Sequence, residues 1–240
     1  MTIALCQVIA SDVLDVEVLG HGRAGVWFLN WALSTKPIAE RKTQGIGIFS
    51  GSGIYALCFD DSLIYIGSYL GDGKKIANFS GDVITSRWWT HIGAITARGS
   101  RVHIARKSLA SLSQDLGVKH EMVAGFINAS EPELLHMDNG DLSPLRRLKF
   151  AAQHSRDFLD TNADPAQILK RFTFVYARYE ILPPNLSATI LTTHIENAEI
   201  KLIERLAPSC NTKHVPRGKA AINVHLKGVA QLLQNELNIP

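Results

Sequence analysis

Gly53-Ile54-Tyr55-Ala56-Leu57-Cys58-Phe59-Asp60-Asp61-Ser62-Leu63-Ile64-Tyr65-Ile66-Gly67 decides how this chain is read. Two short runs rich in Ile, Leu, Tyr and Phe flank a polar trio, Asp60-Asp61-Ser62, of the kind that turns a chain back on itself. The stretch therefore predicts a β-hairpin. Each strand carries a tyrosine beside a glycine end, Tyr55 near Gly53 and Tyr65 near Gly67, where the missing side chain lets another group approach the backbone. A three-residue loop, Asp60 to Ser62, puts Leu57 opposite Tyr65 and brings Tyr55 and Tyr65 onto one face. A two-residue loop puts them on opposite faces, because side chains alternate with period two.

Downstream, Phe172 to Ile181 reads as a strong strand and would be the third of the sheet. Pro183 and Pro184 stop it. Asn185 or Ser187 can then cap a helix that runs to about Leu206 and ends before Pro208. On that helix Ile195, Leu202 and Leu206 form an apolar stripe, and Glu199 falls within it. A carboxylate aimed into a fold is expensive unless something cationic meets it, and a metal ion is one such partner. Between hairpin and strand, Arg87 and His91 stand four apart, so on a helix they share a face and can converge on one anion.

At 240 residues, 46% hydrophobic and 20% charged, the chain suffices for one large domain or a core with an elaboration. A net charge of +3 permits a polyanionic partner without demanding one. The cations cluster: Lys74 and Lys75 follow the hairpin, Arg98, Arg101 and Arg106 fall between residues 98 and 107, and Arg146 and Arg147 open a second basic helix, 145–159. Phosphate contacts are one use for such residues, and a solvated helix face is the other. A further helix is expected over 108–116 and an amphipathic one over 224–237.

Cys6, Cys58 and Cys210 are odd in number and far apart, against a disulfide framework or a zinc knuckle and in favour of a reducing cytoplasm. The first residues lack the basic start of a signal peptide, and no apolar run approaches the roughly 20 residues of a membrane helix. Gly20-His21-Gly22-Arg23-Ala24-Gly25, with Glu40 beyond it, has the glycine spacing of a dinucleotide fingerprint. No repeating βαβ pattern follows it, so it is read as a glycine-rich loop before a buried segment.

Gly-Ile-Tyr, nine residues, then Tyr-Ile-Gly resembles the signature of the GIY-YIG nuclease superfamily in both triplets and their spacing. The Arg87-x3-His91 pair resembles the restriction-enzyme branch, and Glu199-x11-Asn211, with Pro208 between, resembles the end of the family core. The resemblance implies an α+β fold, a small mixed sheet with flanking helices. Residues 51–98 and 171–215 would form the nuclease core, 1–50 an N-terminal extension, 99–170 a mostly helical insertion that could contact DNA, and 216–240 a C-terminal helical segment.

It also implies a magnesium- or manganese-dependent endonuclease acting on double-stranded DNA in the cytoplasm, a type II restriction enzyme by branch, dimeric if its site is symmetric. A repair or structure-specific nuclease, or a DNA-binding module without catalysis, are the alternatives. In this reading Arg87 binds the scissile phosphate, Glu199 holds the metal, with Glu196 and Glu204 as rivals whose spacing to Asn211 fits less well, and Tyr55 is the base or positions water, helped to ionise by Lys74, Lys75 or the metal. Tyr65 and His91 orient the phosphate or share the proton transfer, and Asn211 positions the metal-binding helix or a strand phosphate. The two phenols are expected near Arg87 and Glu199.

Overall fold

Asp60 and Asp61 both adopt positive φ, 46° and 59°, in a two-residue turn joining β4 (Gly53–Phe59) to β5 (Ser62–Tyr69). Two consecutive left-handed residues match the twist of the flanking strands, and aspartate tolerates that conformation better than most. Phe59 pairs with Ser62 and Cys58 with Leu63, and the ladder then skips Ile64, so that Leu57 pairs with Tyr65 and Tyr55 with Gly67. The turn is thus one residue shorter than the expected three-residue loop. The β-bulge at Ile64 supplies the missing residue and returns both tyrosines to one face.

The computed structural model describes residues 2–18, 31–43, 49–73, 76–98, 145–158, 163–181 and 186–238. The chain divides into two compact units, the first formed by Met1–Val13, Thr35–Arg87 and Leu169–Pro240, the second by Leu14–Ser34 and Trp88–Ile168.

The first unit is built on a four-stranded sheet in the order β1-β6-β4-β5, with β1 at Thr2–Ile9, followed by the short α1 (Ala10–Val13), and β6 at Phe172–Ile181. Every pairing is antiparallel, where a mixed sheet was expected within the same α+β class. Residues 2–9 are therefore no appended extension. They pair with β6 from Ile3 opposite Tyr179 to Ile9 opposite Thr173, a long-range ladder that no local pattern announces. Ile54, Ala56, Cys58, Ile66, Val175, Ala177 and Tyr179 share one sheet face and form the core with the apolar stripes of two helices. These are α6 (Ala188–Leu206) and α7 (Leu226–Leu237). Ser187 caps α6, its side chain accepting from the Ile190 N–H, and Ala207 ends it in a left-handed conformation ahead of Pro208.

The second unit contains the β-ribbon of β2 (Leu14–Val18) and β3 (Trp31–Thr35, whose last residue belongs to the first unit). It also contains α2 (Trp89–Thr96), packed on α3 (Leu145–Gln153), and α4 (Ser155–Phe158), while α5 (Pro165–Leu169) leads back to the first unit. The expected helix 145–159 thus breaks at His154, whose ring lies 4.5 Å from Phe150 and 5.8 Å from Phe158. The boundary expected at residue 98 falls instead between Arg87 and Trp88, inside a π-helical turn, Ile84–Trp88. The glycine-rich stretch 20–25 and the helix expected over 108–116 lie outside the described residues. No helix among the described residues is long and apolar enough to cross a membrane.

Gly53 shows how closely the sheet is built. A Cβ there would lie 2.0 Å from the Ala177 carbonyl oxygen and 2.7 Å from the Arg178 Cα, backbone atoms of β6 that cannot yield without breaking the ladder. Gly53→Ala is expected to lower the unfolding free energy by about 3 kcal/mol, read from the urea midpoint, or to prevent folding.

Candidate functional site

β5 lies at the edge of the sheet, and a segment beyond α6 covers that edge. The buried Asn211 amide does so as a strand would: its Oδ1 accepts from the Ile66 N–H at 2.9 Å and its Nδ2 donates to the Ile66 carbonyl at 2.8 Å. Beside it the Cys210 N–H donates to the Ile64 carbonyl, and further on the Leu63 N–H donates to Val224. Backbone groups that would invite another chain are thereby paired. Asn211 acts on the site through β5, holding Ile66 between Tyr65 and Gly67.

Tyr55 and Tyr65 stand together, ring centroids 6.2 Å apart and planes 35° from parallel. Tyr55 is buried, and its ring lies directly over Gly67, where an added Cβ would come within 2.6 Å of both Cζ and Oη. Gly67 is needed because the phenol occupies its side-chain space. Tyr65 is only half-buried, so of the two phenols it is the one a solvent molecule or substrate can reach.

Glu199 meets the hairpin at Ser68, whose hydroxyl donates to its Oε2. Along α6 it lies one turn from Ile195 and Leu202, both fully buried, and is itself half-buried. Burial pushes its carboxyl pKa above the ordinary value, as does the nearby Glu196, while the Ser68 hydroxyl, His214 and Arg87 pull it back down. Arg87 is therefore within electrostatic reach of Glu199, its side chain exposed on the π-helical turn.

That turn is held at its start by Asp82. Its Oδ1 accepts from the Ile84 N–H at 3.2 Å, and its Oδ2 from the Thr85 hydroxyl at 2.8 Å and from Arg41 Nη1 at 2.6 Å. Arg41, its side chain 4% exposed, is fixed in turn by a bond from Nε to the Lys36 carbonyl. Asp82 and Arg41 thus anchor the element that carries Arg87.

The register separates what the sequence suggested as one cluster. Tyr55, Tyr65 and Gly67 project on the face shared with Phe174 and Tyr176, whereas Ser68 projects on the face that α6 covers, bringing Glu199 to the other side of the sheet. β5 carries both, and as the edge strand it is where the two faces meet.

Of the remaining predicted residues, His91 is half-buried on α2, in the second unit. Arg98 is no DNA contact: it is 3% exposed, its Nε donates to the Phe158 carbonyl, and burial pulls its pKa down to about 10. Arg146 and Arg147 are half-buried on α3 of the second unit. Lys74, Lys75, Arg101 and Arg106 lie outside the described residues.

Sequence reasoning missed Ser68, Asp82, Arg41 and His214. Ser68 sits immediately after the second triplet on the opposite side of the strand, a position that period two would have identified once Glu199 was suspected. No group of three or more His, Cys, Asp or Glu among the described residues is arranged to hold a metal ion. The donor set at Glu199, one carboxylate with a hydroxyl on one oxygen, fits a hard divalent ion that keeps most of its water, as magnesium does. No protein-family model matches the chain, nor does any curated protein or solved structure.

Two measurements check this geometry. Asn211→Ala leaves the Ile66 N–H and carbonyl without their partner, and a stability loss of about 3 kcal/mol is expected in urea unfolding. Glu199 binds its proton more tightly folded than unfolded. Its contribution to stability is therefore full below the ordinary value of 4.5 and is lost as pH rises through the raised folded pKa. Without divalent ions, Glu199→Gln should gain stability relative to the parent across that window, and equal pH profiles would contradict the burial argument.

Proposed function

We propose that this chain is a metal-dependent endonuclease that hydrolyses DNA phosphodiester bonds, with chemistry of the GIY-YIG kind that its paired triplets resemble. One observation carries the reading. A half-buried glutamate, Glu199, is fixed by Ser68 to the strand that bears Tyr65, with the exposed Arg87 guanidinium in electrostatic reach. Glu199 and Arg87 supply a carboxylate for a hard cation and a fixed positive charge for a phosphate, while the Tyr65 phenol stands on the opposite face of the same edge strand, β5.

Phosphodiester hydrolysis is very slow without catalysis, so a site must stabilise charge developing on the phosphoryl oxygens and deliver an activated water. Arg87 binds the scissile phosphate and opposes that charge with planar, permanently charged donors. Glu199 would hold a magnesium ion, which when bound would supply Lewis-acid stabilisation of the departing oxygen. Tyr65, on the opposite face of the edge strand, would position the attacking water, and would take its proton only as the phenolate. The sequence suggested Tyr55 for that role, but Tyr55 is 2% exposed and better suited to setting the position of Tyr65. A phenol of ordinary pKa, about 10, needs a cation to share its negative charge. The Asp82–Arg41 pair keeps Arg87 in place, and Asn211 keeps β5 in place.

Within this class, a type II restriction enzyme acting as a dimer on a symmetric duplex is the specific form favoured by the Arg87-x3-His91 spacing. Incubation with mixed-sequence plasmid and magnesium is expected to give discrete fragments, and EDTA to abolish them. A smear or branch-specific cuts would identify a repair nuclease instead, and intact plasmid would sink the nuclease reading. Arg87→Ala and Glu199→Ala should each slow cleavage at least about 100-fold with circular dichroism unchanged. Wild-type cleavage by Glu199→Ala would overturn the metal assignment.

A further inference from the structure

Beyond Asn211 the chain enters a segment that the proposed chemistry does not use. Between residues 207 and 235 there is no aspartate or glutamate, while Lys213, His214, Arg217, Lys219, His225 and Lys227 fall within it. Residues 212–214 and 216–223 are all exposed. A run this one-sided in charge and this open to solvent is unusual in a chain whose net charge is only +3.

The segment is also fixed in place. At one end Asn211 is clamped to Ile66, and at the other the Ile222 N–H donates to the Leu206 carbonyl at 2.8 Å and Val224 accepts from the Leu63 N–H at 2.9 Å. In between, the Lys219 N–H closes a turn onto the Pro216 carbonyl, and His214 and Gly218 take positive φ, 62° and 75°. Lys219 Nζ donates to the Glu204 carbonyl near the end of α6. The facing carboxylates are few: Glu196 and Glu204 are exposed on α6, Asp61 is exposed at the hairpin tip, and Glu236 of α7 lies 3.9 Å from Lys201 and 3.5 Å from Arg205. The strap starts beside the site, since Asn211 at its head is bonded to Ile66, between Tyr65 and Gly67, and Cys210 to Ile64.

We infer that residues 212–223 form the surface along which the protein holds the phosphate backbone of duplex DNA, with Lys213, Arg217 and Lys219 contacting phosphates next to the scissile one. The inference rests on the nuclease reading and names the contact surface of that same site. A pinned strap suits this role because its backbone is fixed before binding, so less conformational entropy is lost when phosphates arrive. Contacts of this kind position the duplex and carry no sequence information.

The test is a fluorescence-anisotropy titration of a mixed-sequence DNA duplex in EDTA at several salt concentrations between about 50 and 200 mM, chosen because counterion release sets a slope over that range. The triple variant Lys213→Gln/Arg217→Gln/Lys219→Gln is expected to bind at least about tenfold more weakly at low salt. Its log–log salt slope should be shallower by about 0.9 for each phosphate that the strap no longer neutralises. The charge-keeping variant Lys213→Arg/Arg217→Lys/Lys219→Arg should bind as the parent does. With magnesium, the neutral variant should show a raised KM at little-changed kcat. Equal affinity and slope in parent and neutral variant, or no duplex binding by the parent, would overturn the strap. Strap-dependent binding without any cleavage would instead keep the strap and overturn the nuclease reading.

Discussion

The double hydrogen bond from the Asn211 side chain to the backbone of Ile66 holds the site together. An edge strand presents donors and acceptors that must be paired or left to water, and a carboxamide carries one of each at the spacing a neighbouring strand would offer. Because Ile66 lies between Tyr65 and Gly67, this one contact fixes the strand on which the accessible phenol, the glycine beneath Tyr55 and the hydroxyl that meets Glu199 all depend. It also joins the end of α6 to the hairpin, residues 145 positions apart in the chain.

The electrostatics follow from unequal burial. Glu199 is withdrawn from water, which disfavours its charge, and Ser68, Arg87 and His214 compensate in part. Arg87 stays exposed, so its charge is open to solvent. Arg98 is the contrast: almost fully buried and bonded to the Phe158 carbonyl, it serves the interior of the second unit. Two arginines eleven residues apart are alike in sequence and opposite in use, because one stands at a solvent-facing turn and the other behind a helix end.

Several elements were legible because their signals are local. The hairpin, the strand Phe172–Ile181 and the capped helix ending before Pro208 follow from strand-forming runs, turn residues and a serine cap. The details that went astray depend on distant partners or on a single residue of register. The turn is shorter than expected, and the bulge at Ile64 cancels the error for the tyrosines. Residues 2–9 read as an extension because their partner strand lies about 170 residues away. The π-helical turn under Arg87 leaves no mark in a four-residue spacing, yet the division between the two units falls within it.

The sequence by itself determined the hairpin with its paired tyrosines, the strand Phe172–Ile181 and the capped helix after it, since these depend on propensity, periodicity and spacing within short windows. The α+β class, which the fold bears out, was implied by the resemblance of the paired triplets. Only the tertiary structure decided that β1 completes the sheet, that Asn211 seals its edge and that Tyr65 rather than Tyr55 is accessible. It alone showed that Glu199 reaches the hairpin from the face opposite the phenols. The physical reason is common to all of these: burial, edge pairing and side-chain direction are set by long-range contacts, and a one-residue change of register redirects every side chain that follows.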